Sequence, residues 1–318
     1  MAHINVALVK YWGKRDPKLV LPWTSSLSLT LDAFWTTTSV RFRAGAMEDR
    51  ITLDGQPVIG EQRRRVTDFL DLVRLKSGRT NAAVVESVNT VPTGAGLASS
   101  SSGFAALALA ASAAAGMELD KRALSRLARR GSGSAARSVF GGFVVWHAGH
   151  DDDSSYAEPV HTKRFDLVMV VALISFDHKE MTSSDAMRHT VETSPLFWPW
   201  VESSVTDLKD MHAALKLGDL DAVGEIAERN ALGMHATMFA ARPAVRYLKP
   251  ATIAVLDCVL DLRRAGVSAY ATIDAGPNVK ILCHRAHSST VAAAVRAASG
   301  CVTTVAGAGP DAGVVDGR

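Results

Sequence analysis

Asn5-Val6-Ala7-Leu8-Val9-Lys10-Tyr11-Trp12-Gly13-Lys14-Arg15 opens apolar and then turns cationic. Val6–Val9 reads as a strand, with Lys10, Lys14 and Arg15 clustered around Tyr11 and Trp12 at its end. A solvated charge cluster rarely interleaves two large aromatics, whose apolar area is usually buried. Gly13 is expected to let backbone approach a ligand closely. The arrangement suits an anion gripped at a strand end, phosphate first among them. A basic strand end with core-edge aromatics is the competing reading of this segment alone, so the rest of the chain decides.

The chain has 318 residues, of which 47% are hydrophobic and 21% charged, an ordinary globular balance with room for two domains. A net charge of +3 is too small to argue for nucleic acid. Cys258, Cys283 and Cys301 lack metal-type spacing and form no disulfide framework; apolar neighbours mark them as buried thiols in a reducing cytoplasm. No signal-peptide pattern precedes Lys10. The longest apolar tract, residues 103–116, is alanine-rich and too short to span a bilayer, so it reads as a buried helix.

The first half alternates strand and helix patterns, an α+β arrangement. Val40 and Phe42 alternate with Arg41 and Arg43 as in a half-buried strand. Helices are predicted over 61–75 and 119–130, and strands over 82–88 and 143–146. In the second half, 166–176 reads as a strand buried on both faces. Helices follow at 205–217, 220–232 and 252–265, then strands near 268–273 and 279–283. A domain boundary is expected within 147–163, where Asp151-Asp152-Asp153-Ser154-Ser155 reads as an exposed polar loop; this gives domains 1–160 and 161–318.

Three further segments bear chemistry. Pro92-Thr93-Gly94-Ala95-Gly96-Leu97-Ala98-Ser99-Ser100 leads into the alanine-rich helix, whose free N–H groups and dipole favour phosphate; no Walker Gly-Lys-Ser/Thr ends it. Gly131-Ser132-Gly133-Ser134-Ala135-Ala136-Arg137-Ser138 repeats that small-residue chemistry and ends in an arginine able to hold a carboxylate or phosphate through two bonds. Asp274, between an apolar strand and Gly276-Pro277-Asn278, is placed to act on a bound hydroxyl, although such a residue alone also serves as a turn former.

Together these segments resemble the GHMP small-molecule kinase superfamily and, within it, the diphosphomevalonate decarboxylases. Leu21-Pro22 through Leu31, Glu192-Thr193-Ser194, His235-Ala236-Thr237 and Asp274-Ala275-Gly276-Pro277-Asn278 extend the likeness along nearly the whole chain. The resemblance implies two α+β domains, the first like a ribosomal-protein domain and the second ferredoxin-like, with a cleft between them and a homodimer. It implies that ATP phosphorylates the tertiary 3-hydroxyl of 5-diphosphomevalonate, after which phosphate and carbon dioxide leave to give isopentenyl diphosphate.

By the same resemblance Asp274 deprotonates the hydroxyl, Lys10 stabilises the transferred phosphoryl group and Arg137 holds the substrate carboxylate. Tyr11, Trp12, Gly13, Lys14, Ser132, Gly133, Ser134, Ala135, Ala136 and Ser184 would bind substrate, with Lys14 and Arg65 on its diphosphate. Pro92, Gly94, Ala95, Gly96, Leu97, Ala98, Ser99 and Ser100 would cradle ATP, with Mg²⁺ bridging its phosphates near Ser100. Four departures stand out: a short lead before Asn5, Thr24 in place of a common asparagine, Ala136 in place of a frequent cysteine, and Ser184 where many bacterial relatives carry arginine. The rival readings are a 5-phosphomevalonate decarboxylase, a mevalonate kinase without decarboxylation, and a non-catalytic RNA-binding protein. Retention of both Lys10 and Asp274 favours the full reaction.

Overall fold

The computed structural model describes residues 1–90, 99–163, 166–175 and 181–315. Its first half comprises β1 (Ala2–Val9), β2 (Lys14–Asp16), β3 (Leu21–Pro22), β4 (Ser26–Arg43), β5 (Arg50–Leu53), β6 (Gln56–Pro57), α1 (Gly60–Ser77) and β7 (Ala82–Asn89). Then follow α2 (Ser99–Ala115), α3 (Lys121–Gly131), a 3-10 helix (Gly133–Val139), β8 (Phe143–Trp146) and β9 (Ala157–Pro159). The second half has β10 (Leu167–Leu173), α4 (Ser183–Thr193), α5 (Phe197–Leu217), α6 (Leu220–Phe239), α7 (Pro250–Arg264), β11 (Ala269–Ile273), β12 (Val279–His284), α8 (Ser288–Ser299) and β13 (Val302–Ala306). The α+β class read from the sequence holds.

β4 is the spine of the first sheet. Its early residues pair with β1 and β8, its later ones with β7, all antiparallel. β1 separates two environments by its alternation. Ile4, Val6 and Leu8 enter a core shared with α5, α6 and β10, whereas Asn5 and Ala7 face the cavity described below. Despite the short lead, β1 runs for 8 residues, all buried.

On the other side, α2 presents Ala105, Ala106, Ala108 and Ala111 to β4, all essentially inaccessible. Small side chains let this helix lie close to the sheet. In the second half the order is β11-β12-β10-β13. β10 sends Met169 and Val171 into the core shared with the first half, and Val168 and Val170 into a third core beneath α7 and α8. That is the doubly buried strand its unbroken apolar run predicts.

Several readings need correction. α5 starts at Phe197, earlier than 205, because Pro199 sits in the first turn, where a missing N–H costs nothing. α4 carried no recognisable pattern. The Asp151–Ser155 segment is tied down: buried Arg129 donates to Asp152, to the Ser155 carbonyl and to the Leu19 carbonyl, and Arg126 and Arg130 also reach Asp152. Of the cysteines only Cys283 is buried; Cys258 and Cys301 are half-buried.

The end of the described chain straps back onto the first sheet. Gly309 N–H donates to Thr30 O (2.8 Å), Gly142 N–H to Gly309 O (3.0 Å), and the Met1 amine to Gly313 O (2.8 Å). A Cβ on Gly309 would stand 2.4 Å from the Leu31 carbonyl oxygen. Gly309→Ala is therefore expected to destabilise the protein by about 1–3 kcal/mol in urea unfolding, the usual cost of overpacking. A change below about 0.3 kcal/mol would mean the strap is not seated there.

Candidate active site

Asp274 follows β11, Lys10 follows β1 and Lys280 lies within β12, so three strand positions from both halves converge. Lys10 Nζ donates to Asp274 Oδ1 (2.7 Å) and to Ala7 O (2.7 Å). Lys280 Nζ stands 3.0 Å from Asp274 Oδ2. Both lysines are 1% exposed. Buried charges survive only when compensated. Burial lowers the Lys10 ammonium to about 8, against the opposing pull of Asp274. Burial alone would raise the Asp274 carboxyl, but Lys10 and Lys280 outweigh it and hold it well below the usual range.

α6 supports this cluster twice. Lys10 N–H donates to Asn230 Oδ1 (2.8 Å), and Asn230 in turn donates to buried Asp207. His235 Nε2 lies 3.2 Å from the Asp274 carbonyl oxygen. Burial, reinforced by the Lys10 charge, lowers His235 to about 4. The imidazole is thus neutral at physiological pH, with its proton on the nitrogen facing that carbonyl.

Beside the carboxylate opens a cavity of about 920 Å³. Arg137, from the 3-10 helix, lines it while 2% exposed. Its Nε donates to Asn5 Oδ1 (3.2 Å), and its guanidinium lies over the Trp146 ring at 5.9 Å. Burial lowers it to about 10, so it stays charged at neutral pH. No ion pair satisfies it among the described residues. Tyr11 packs edge-on against Trp146, and its buried hydroxyl has no partner among the described residues.

The described end of the first small-residue segment, Ser100, meets the second segment here. Ser132 Oγ lies 3.3 Å from Ser100 Oγ at the start of α2 and 3.5 Å from Ser134 Oγ, and all three residues line the cavity. Gly133 is required between them, since a Cβ would come within 2.8 Å of Tyr11 and Trp146. Further along, Lys14 Nζ donates to Ser184 Oγ (3.0 Å) at the first turn of α4. Arg65 crosses the Phe104 ring at 5.3 Å and alone of Arg63, Arg64 and Arg65 lines the cavity. Burial lowers the Lys14 amine, and Arg65 adds to the effect. Two cations so placed favour an anion between them.

Trp12 lines the cavity, with its side chain packed among Phe197, Trp200 and Met238. Other expected residues sit elsewhere. Gly13, at φ +95°, is demanded by Phe197 and Val191, which a Cβ would meet at 2.8 and 2.9 Å; close packing rather than ligand approach explains it. Ala135 and Ala136 point into the helical core. Arg15 leaves the cationic cluster to donate to Gly149 O. Pro92, Gly94, Ala95, Gly96, Leu97 and Ala98 lie outside the described residues, as does the Ser99 side chain. Sequence reasoning missed Lys280, although one charge inside Val279-Lys280-Ile281-Leu282-Cys283 was a usable signal. It also missed Asn5 as the anchor of Arg137, and Lys18 at the cavity wall.

The family of diphosphomevalonate decarboxylase-like N-terminal domains matches residues 2–157, and that of mevalonate 5-diphosphate decarboxylase C-terminal domains matches residues 169–308. The chain belongs to the diphosphomevalonate decarboxylase family. A solved complex of the enzyme MDDEF with MVAPP, AMPPCP and magnesium is similar, at TM-score 0.93 and 44% identity over 98% of this chain and 96% of that one. Mevalonate diphosphate decarboxylase from Enterococcus faecalis is similar at TM-score 0.92 and 43% identity, over 98% and 96% of the two chains. A phosphomevalonate decarboxylase from Haloferax volcanii is 35% identical over 99% of this chain and 96% of its own. No helix among the described residues is long and apolar enough to cross a membrane.

The Lys14–Arg65 end of the cavity carries a prediction for this family member. Inorganic diphosphate is expected to bind it, and Lys14→Ala to weaken that binding about tenfold by calorimetry, the loss of one charge-assisted hydrogen bond at a half-exposed position. Unchanged affinity would place the anion elsewhere.

Proposed function

We propose that this protein uses ATP to decarboxylate (R)-5-diphosphomevalonate, releasing isopentenyl diphosphate, ADP, phosphate and carbon dioxide. The observation that carries it is a lysine-bound, partly buried carboxylate, Asp274, facing a cavity whose buried Arg137 has no ion-pair partner among the described residues.

Arg137 takes the substrate carboxylate and fixes the tertiary 3-hydroxyl toward Asp274. A carboxylate held so far below its usual range is a feeble base in the ground state. It aligns the hydroxyl and accepts the proton as the new O–P bond forms, which suits the loose transition state of phosphoryl transfer. Lys10 lies beside the incoming phosphoryl group and stabilises its charge. The C3–O bond then breaks with phosphate as leaving group. The electron pair of the bond to the carboxylate becomes the C2–C3 double bond, and carbon dioxide departs.

Ser100 offers its hydroxyl to the nucleotide phosphates at the start of α2, and Ser132 and Ser134 offer theirs to the substrate beside it. No group of His, Cys, Asp or Glu among the described residues is spaced to hold a metal. Ser100 is the hydroxyl placed to meet Mg²⁺ carried on the ATP phosphates, where the ion would neutralise phosphate charge. Lys14, Arg65 and Ser184 support the diphosphate as the substrate's far end. Domains divided near residue 160, a cytoplasmic setting and a pair of copies belong to the same reading. α5 exposes Trp198 and Val205, apolar area of the kind a second copy covers.

Purified protein with ATP and Mg²⁺ should release ADP and carbon dioxide in equal amounts from 5-diphosphomevalonate. Equal release from 5-phosphomevalonate alone would move it to the Haloferax volcanii activity, and ADP without carbon dioxide would make it a kinase.

The pH dependence follows from Lys10. Its ammonium exists below about 8, so kcat/KM is expected to fall as pH rises through that value. Bound polyanion stabilises the ammonium, so the limb in kcat should lie higher. Lys10→Arg, if active, should remove the limb up to about pH 10, since arginine stays protonated. A limb unmoved in Lys10→Arg would assign it to another group.

A further inference from the structure

Each oxygen of Asp274 has its own lysine, and the two lysines are not equivalent. Lys10 lines the cavity at the free end of β1 and has a third N–H beyond those given to Ala7 and Asp274. Lys280 is absent from the cavity wall. It sits mid-strand in β12, in register with Val171 of β10 and Thr272 of β11, and donates to Asn278 O (3.3 Å) besides facing Asp274. The remaining groups around the carboxylate are the neutral His235 from α6 and the Arg137 guanidinium, which Asn5 and Ser26 hold.

Phosphoryl transfer asks Lys10 to give charge to the incoming group. Were Lys10 the sole partner, its departure would leave a largely enclosed carboxylate without a counter-ion. We propose that Lys280 is a positioning residue, the standing counter-ion of Asp274, whose hold on Oδ2 lets Lys10 turn from Oδ1 to the transferred phosphoryl group. This rests on the decarboxylase reading above. Lys280 touches neither substrate nor nucleotide; it acts through the carboxylate.

The test is Lys280→Met, which keeps length and removes charge, with Lys280→Arg beside it. Expected for Lys280→Met is a fall in kcat of about tenfold or more with both KM values within about threefold, since the interaction acts after binding. The acid limb of the kcat profile should move up by about one pH unit or more, because Asp274 loses an ammonium. Lys280→Arg should recover most of kcat and the original limb. A kcat within threefold of wild type, or equal losses in both variants with an unmoved limb, would overturn the proposal.

Thermal stability provides a readout without turnover. Lys280→Met should destabilise the wild-type background more than the Asp274→Asn background, where no carboxylate is stranded; equal effects would also overturn it. Wild-type protein that releases no carbon dioxide would instead sink the decarboxylase reading, while the stability comparison would still judge the ion pair.

Discussion

A partly buried carboxylate between two buried ammonium groups constrains the molecule more than any other contact. The three groups come from the ends or middle of β1, β11 and β12, so the cluster exists only if both halves of the chain are held in fixed relation. Removing one partner from such a set typically costs about 3–5 kcal/mol, because the remaining charge is left without water or counter-ion. The halves are locked accordingly. Ile4, Val6 and Leu8 of β1 share one core with Met169 and Val171 of β10 and with α5 and α6, and the strap at 308–313 returns to β4. Packing and electrostatics thus demand the same geometry.

The cluster carries one net positive charge, and Arg137 adds a second, unneutralised one. Farther out, Lys14 and Arg65 repeat the pattern with more exposure. A chain of nearly balanced overall charge therefore concentrates cation in one cavity, where low dielectric makes each charge count for more than at the surface. The cost of burying these cations is returned when a ligand with a carboxylate at one end and phosphates at the other enters. Arg137 illustrates the economy of the arrangement. Asn5 and Ser26 orient it without neutralising it, so its attraction is left for the ligand.

The legible parts of the sequence were those where composition and function coincide. The Val6–Val9 run ending in Lys10, the apolar 166–176 stretch and the alanine-rich helix each had one physical reading. Lys10, Arg137, Asp274, Ser100, Ser132 and Ser134 do meet around one cavity. Gly13, Ala135 and Ala136 are off the cavity wall, because close packing selects the same residue types as close approach to a ligand. Phe197 and Val191, far away in sequence, fill the space that Gly13 leaves. The polar look of Asp151–Ser155 told half the story: Asp151 and Asp153 are exposed, but the arginines that tie down Asp152 and Ser155 stand on α3, and local hydrophilicity cannot report them.

Lys280 shows why the rest stayed hidden. A lysine inside an apolar strand is costly by itself, and only its partner across the sheet turns cost into function. That partner belongs to a motif read on its own terms, as an aspartate beside a glycine turn. Joining the two requires knowing that β11 and β12 are antiparallel neighbours, with Ile273 opposite Val279 and Thr272 opposite Lys280. The hairpin then brings residue 280 back beside residue 274, with the Gly276-Pro277-Asn278 turn between them. The turn that looked like punctuation sets the separation of carboxylate and ammonium, and the strand register decides which face both occupy. A one-residue slip in that hairpin would send Lys280 to the opposite face and leave Lys10 as the sole partner of Asp274.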